Sequence, residues 1–130
     1  MALTFTRVLD QPVTTQTINT TATYTSSEVD IGASTIAEQI FAYLEVDGFA
    51  STPTGTMIMG LPPVHTTGGS VFDDVGITHP FTVAADQQYQ FPLRIASLSR
   101  FFKMTVKNNT DVNTDANAVD AWVEHMDVTA

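Results

Sequence analysis

Oxygen-bearing side chains fall at every second residue from Asp111 through Asn113 and Asp115 to Asn117. That is the donor spacing of the first half of a calcium loop, in which hard oxygen ligands wrap one cation. The pattern departs where closure is needed. The sixth position, which calls for a glycine, is Ala116, and the twelfth, which calls for a bidentate glutamate, is Trp122. Asp120 or Glu124 would have to substitute. The expectation is a solvated polar loop and no metal.

The remaining reactive residues are scattered. His65, His79 and His125 stand far apart and in no zinc-ligand spacing. Asp73 and Asp74 are adjacent, and neighbours on an extended backbone point apart, which suits a turn better than paired acid–base work. Gly68-Gly69-Ser70 lacks the lysine and flanking pattern of a phosphate loop, and there is no Gly-x-Ser-x-Gly elbow. Asn19-Thr20-Thr21 and Asn108-Asn109-Thr110 match the glycosylation pattern, which means little without a signal peptide. The chain is read as no enzyme, with no catalytic residue and no cofactor.

Composition narrows the partners. The length of 130 residues suits one domain able to bury its own core. A formal charge of −9 disfavours nucleic acid and other anionic partners. There is no cysteine, so no disulfide contributes. The start, MALTFTRVLDQPV, lacks the basic and apolar regions of a signal peptide, and no apolar run approaches the ~18 residues of a membrane span. Intracellular synthesis and no membrane partner are the expectations.

The elements that must position these residues read as strands. Tyr89, Phe91, Leu93 and Ile95 share one parity, and Phe102, Met104 and Val106 share another after the short link Ala96–Ser99, which predicts an antiparallel pair. Leu3, Phe5 and Leu9 alternate before a break at Gln11-Pro12. Threonine is dense from Thr14 to Thr25, and its branched β-carbon fits a pleated surface. Residues 1–20 are therefore read as an extended N-terminal arm or edge strand, ordered mainly by other chains, and 21–130 as a single β-sandwich domain. Ile36–Val46 fits a strand with Ile36, Ile40, Ala42, Leu44 and Val46 inward and Glu38 as the exception. It also fits a helix with a capping box at Thr35 and Glu38; the strand is favoured because every neighbour is strand-like. Asp47–Gly55 is a loop, Thr56–Leu61 a strand and Pro62–Pro80 a long loop rich in turn formers. Phe81 and Val83 begin another strand, and Val119–Val128 is the last. The expected fold is all-β, an antiparallel β-sandwich of jelly-roll type.

In this reading Phe41 and Tyr43 lie on an outer sheet face, as do Trp122 and Met126 on the last strand, and all four are interface candidates. Arg94, Arg100, Lys103 and Lys107, four of the five bases, suggest a positive stripe that meets the acids of another subunit.

The threonine-rich start, YTSSEVDIG at Tyr24–Gly32, and FPLRIASLSRFFKMTVKNNT followed by AVDAWVEH resemble small structural proteins of tailed phages. The nearest in kind are the jelly-roll decoration, or cement, proteins of the capsid. The resemblance spans about Tyr24 to Met126. It implies homotrimers on the capsid surface of the virion, bound to the major capsid protein, with arms that link capsomers. The alternative is a carbohydrate-binding sandwich, either a free module or a receptor-binding tip, whose sugar stacks on Trp122, Tyr43 or Phe41.

Because the Asp111 loop lacks its glycine and its closing glutamate, calcium should bind weakly or not at all. Calorimetric titration checks this, and sub-micromolar affinity would overturn it.

Overall fold

The computed structural model describes residues 2–32, 35–64, 77–84, 89–90, 93–95 and 100–129. Asp73-Asp74, His65, Gly68–Ser70 and the link Ala96–Ser99 lie outside the described residues. Every described element is a strand and every pairing is antiparallel. The larger sheet runs in the order β1 (Thr4–Gln16), β11 (Val119–Thr129), β4 (Thr35–Val46) and β7 (Tyr89–Gln90), with β8 (Leu93–Ile95) also paired to β4. The smaller runs β2 (Thr23–Thr25), β10 (Thr105–Thr110), β5 (Gly55–Leu61) and β6 (Ile77–Thr82). β3 (Val29–Asp30) and β9 (Phe101–Phe102) form a short ribbon. The protein is an antiparallel β-sandwich.

Period-two patterning builds the shared core. Val119, Ala121 and Val123 of β11 face in beside Ile40, Ala42, Leu44 and Val46 of β4. Met57, Met59 and Leu61 of β5, with Val106 of β10, approach from the other layer. Met104 and Phe102 complete the layer, both fully buried. Three methionines among these suit a core whose two sheets are irregular, because an unbranched thioether fills uneven gaps. The segment that fits both helix and strand is β4; its ladder with β11, eight residue pairs, and its inward alternation override its helical capping signal.

Three expectations need correction. The two alternating runs flanking Ala96–Ser99 do not pair with each other. β7 and β8 pair with β4, whereas β10 pairs with β5 and β2. Alternation reports which face of a strand is buried, and that is the same for a strand in either sheet, so the run crosses between layers. The strand expected at Phe81 begins at Ile77 and includes Pro80. β6 is an edge, where half the N–H groups have no partner strand and a proline is tolerated. The N-terminal stretch, expected to be ordered mainly by other chains, pairs over Thr4–Gln16 with β11 of its own chain and lies at the edge of the larger sheet.

Gln11-Pro12 does not end β1; it bulges it. Between the pairs Asp10↔Val123 and Val13↔Ala121, two residues stand opposite Trp122 alone, and the same happens at Thr14-Thr15 opposite Asp120. The first bulge reverses the parity of the strand, so Val13 is fully buried although Leu9 is exposed. The second puts Thr15 at φ 44°, and the Asp120 carboxylate accepts its N–H at 2.9 Å and the Gln11 amide at 3.1 Å.

A buried polar cluster ties the segment after β1 and the loop after β10 to β10. Asn108 is fully buried, and its carboxamide nitrogen donates to the carbonyls of Ile18 and Val112, both at 2.9 Å. Its oxygen accepts the Thr110 N–H at 3.0 Å and hydroxyl at 2.6 Å. Thr114 Oγ1 accepts the Ile18 N–H at 3.0 Å. Replacing Asn108 with leucine would leave the Ile18 carbonyl and the Thr110 N–H without these partners, at about 1–3 kcal/mol each, while the Val112 carbonyl would keep the Thr110 hydroxyl. Thermal denaturation of Asn108→Leu should show a fall in Tm on the order of 10 °C, whereas Asn109→Ser, at an exposed site, should leave it nearly unchanged.

Candidate interaction face

The calcium-like ladder is used for backbone capping. Asp111 Oδ1 accepts the Thr54 N–H at 2.7 Å and Asn113 Oδ1 accepts the Thr20 N–H at 2.9 Å. The Asp115 carboxylate packs against Gly48, where a β-carbon would collide with it. Asn117 sits at φ 57° and donates its N–H to Thr17 Oγ1 at 2.9 Å. Oxygens that look like converging ligands in sequence thus hold two separate loops. Among the described residues no group of three or more His, Asp or Glu stands where it could hold a metal ion.

His79 lies on edge strand β6 with its ring edge-on to Phe81 at 4.7 Å, and His125 lies buried in the larger sheet. His125 Nε2 is 2.9 Å from Asp10 Oδ2, and Nδ1 is 3.1 Å from Asp127 Oδ1. An imidazolium donates to both carboxylates, whereas a neutral ring has one N–H. The arrangement fastens β1 to β11 just before the first bulge.

The outer face of the larger sheet brings the aromatic candidates together. Trp122 lies opposite Tyr43, and a row crosses four strands as Leu9, Glu124, Phe41 and Arg94. Met126 is opposite Arg7. Leu3, Phe5 and Leu9 extend this face along β1 and are 60%, 58% and 52% exposed. Trp122, Tyr43 and Phe41 are half-buried by their neighbours. An open groove of about 330 Å³ runs between them, lined by Arg7, Leu9, Tyr43, Glu45, Gln90 and Trp122.

One carboxylate organises the centre of this face. Glu124 Oε2 accepts from Arg7 Nη2 at 2.6 Å and from the Tyr43 hydroxyl at 3.1 Å. Desolvation, then the hydrogen bond to Glu124 and its charge, push the Tyr43 phenol above the ordinary tyrosine range. The same carboxylate, mainly through its hydrogen bond, raises the Arg7 guanidinium still further.

The basic candidates do not form one stripe. Arg94 is on the outer face of the larger sheet and Lys107 on that of the smaller, because the run containing them changes layer. The Lys103 N–H donates to the Pro62 carbonyl at 3.0 Å at the junction of β9 and β10. Arg100 pairs with Asp30, Nε to Oδ1 at 3.0 Å and Nη2 to Oδ2 at 3.3 Å, and its guanidinium lies 4.8 Å from the centre of the Phe101 ring. The hydrogen bonds from Arg100, and then from the Gly32 N–H, lower the Asp30 carboxyl below the usual range.

Sequence reasoning missed the exposure of Leu3, Phe5 and Leu9. The signal was present: Thr4, Thr6 and Val8 make the opposite parity of β1 equally suited to a strand, and Arg7 sits inside the apolar row.

Glu124→Gln removes the charge and the strong acceptor at Tyr43. The ionisation of Tyr43 should move to lower pH, towards the ordinary tyrosine value, read by ultraviolet difference titration with Tyr43→Phe as the blank. Because folding raises this pKa, its contribution to stability is complete below the ordinary tyrosine range and is lost as pH climbs through the folded value.

No protein-family profile and no curated protein matches the chain. Among solved structures it is similar to dimeric latent PorU from Porphyromonas gingivalis, with 12% identity and a TM-score of 0.49 over 98% of this chain, and it spans 13% of that protein's length. It is also similar to a Bacillus endospore appendage protein, of a family of disulfide-linked pili, with 15% identity and a TM-score of 0.30 over 97% of this chain and 85% of that one.

Proposed function

We propose that this chain is a structural protein of a phage virion, a decoration protein that seats the outer face of its larger sheet on the capsid and clamps neighbouring subunits. The observation that carries the proposal is that face itself. Trp122, Tyr43 and Phe41 stand on the side of the sheet away from the core, continuous with exposed Leu3, Phe5 and Leu9. A lone sandwich needs one apolar face per sheet, and a second one supports a partner. Sheet orders of β1-β11-β4-β7 and β2-β10-β5-β6 support the jelly-roll wiring expected from sequence, a wiring used by capsid proteins and lectins alike. A ligand that binds only the assembled shell stabilises it by mass action, and contacts to two neighbours at once multiply the effect. The charge of −9 suits an outer surface kept away from packaged nucleic acid.

The groove favours a second reading. Its Trp122 and Tyr43 rings beside Arg7, Glu45 and Gln90 offer the aromatic platform and polar rim that a sugar ring uses.

Cosedimentation with tailed-phage heads stripped of their decoration protein separates the two. The wild type should pellet with heads, and Trp122→Ser and Phe41→Ser should each weaken that binding by about tenfold or more while the circular dichroism stays β-type. A wild type that ignores heads and binds a glycan array through Trp122 would replace the capsid reading with the sugar reading.

A further inference from the structure

A sandwich has four sheet edges, and each exposes backbone N–H and C=O groups that could recruit a foreign strand. Among the described residues two of the four are blunted. β6 carries Pro80, which has no N–H to offer. β2 is three residues long. The fourth, along β7 and β8, is described only at Tyr89–Gln90 and Leu93–Ile95. β1 is different: it runs for 13 residues, has no proline before Pro12, and carries Phe5 and Leu9, with Leu3 just before its start, all three more than half exposed. Among the described residues these are the exposed large hydrophobics of the molecule.

We propose that β1 is a homodimerisation edge, pairing antiparallel with β1 of a second copy about a two-fold axis at Thr6, so that the larger sheet continues through both subunits. The occupant follows from the edges. For one copy to extend another's sheet, the long open strand must meet a long open strand, and β1 is the one the described chain provides. Identical strands that pair antiparallel do so about a two-fold axis.

The register follows from the sequence. Outward-facing Leu3, Phe5, Arg7 and Leu9 are centred on residue 6, so a two-fold there sets Leu3 opposite Leu9 of the second copy and Phe5 opposite its Arg7. The first pair is apolar, and the second places a guanidinium beside an aromatic ring. On the other face Thr6 meets Thr6 and Thr4 meets Val8, all β-branched pairs. Shifting the axis to residue 7 sets Arg7 against Arg7. Shifting it to residue 5 sets Leu3 against Arg7. Arg7 is the one charge between Ala2 and Leu9, so the register at Thr6 opposes no like charges. The inference gives the assembly reading a specific contact, one suited to joining copies seated on neighbouring capsomers, and it rests on that reading for its purpose alone.

The contact is small beside a standard interface of ~1,600 Å², so the full chain should pass from monomer to dimer within roughly the micromolar range. Sedimentation across that range at physiological salt provides the first readout. Phe5→Lys and Leu9→Lys should each weaken dimerisation by about tenfold or more, with unchanged circular dichroism, because both sites are exposed in the single subunit. The chain has no native cysteine, so Thr6→Cys should form a disulfide dimer on mild oxidation and Thr4→Cys should not. A wild type monomeric throughout, a dimer indifferent to both lysine variants, or equal cross-linking at residues 4 and 6 would overturn the inference. A dimer that binds no heads would leave it standing and remove the capsid reading; a monomer that binds heads would do the reverse.

Discussion

Asn108 stands where four pieces of chain meet, and its carboxamide is the one group there that both donates twice and accepts twice. It reaches Ile18 after β1, Val112 after β10 and Thr110 beside it. Its own backbone exchanges hydrogen bonds with Thr21 and Ala22. In an apolar core most of these carbonyls and N–H groups would otherwise be buried without a partner, a far larger cost than the net gain of an ordinary hydrogen bond. The segment between β1 and β2 is therefore held against the smaller sheet although β1 itself belongs to the larger one. That crossing sets the path by which β1 lies along β11, and with it everything on the outer face.

The same cluster accounts for the polar loop that follows. Thr114, Asn113 and Asp111 take N–H groups from Ile18, Thr20 and Thr54 in turn. An alternation of short polar side chains is what a loop needs when it closes one end of a sandwich and must cap chain on both sides. The resemblance to a cation loop has this physical origin: both tasks call for oxygens at regular spacing, and only the direction in which they point differs.

Burial was legible in the sequence wherever alternation was clean. The inward parity of Val119, Ala121 and Val123, the outward parity of Trp122 and Glu124, and the inward set on β4 all follow from period two. Partnership was not legible. The run around Leu93 and the run around Val106 alternate equally well and lie in opposite layers, because a pleat does not record which neighbour completes its ladder. That single ambiguity also dispersed the bases, since Arg94 went with one run and Lys107 with the other. β1 hid its orientation for a different reason. Both of its parities are strand-like, and the bulge at Gln11-Pro12 exchanges them midway, so no fixed period describes the strand. The outer aromatics were found from sequence because β11 and β4 have no such interruption along Trp122 and Tyr43.

The blunting of two edges limits what this molecule can grow into. A sheet with two receptive edges can add copies without end, which is the geometry of a fibre. With Pro80 on one flank and the three-residue β2 on another, β1 is the long strand left open among the described residues, and backbone hydrogen bonding is offered chiefly along it. Extension through β1 about a two-fold axis would use the long edge of both copies in one addition. Sheet growth through that strand would end in a pair and not in a fibre.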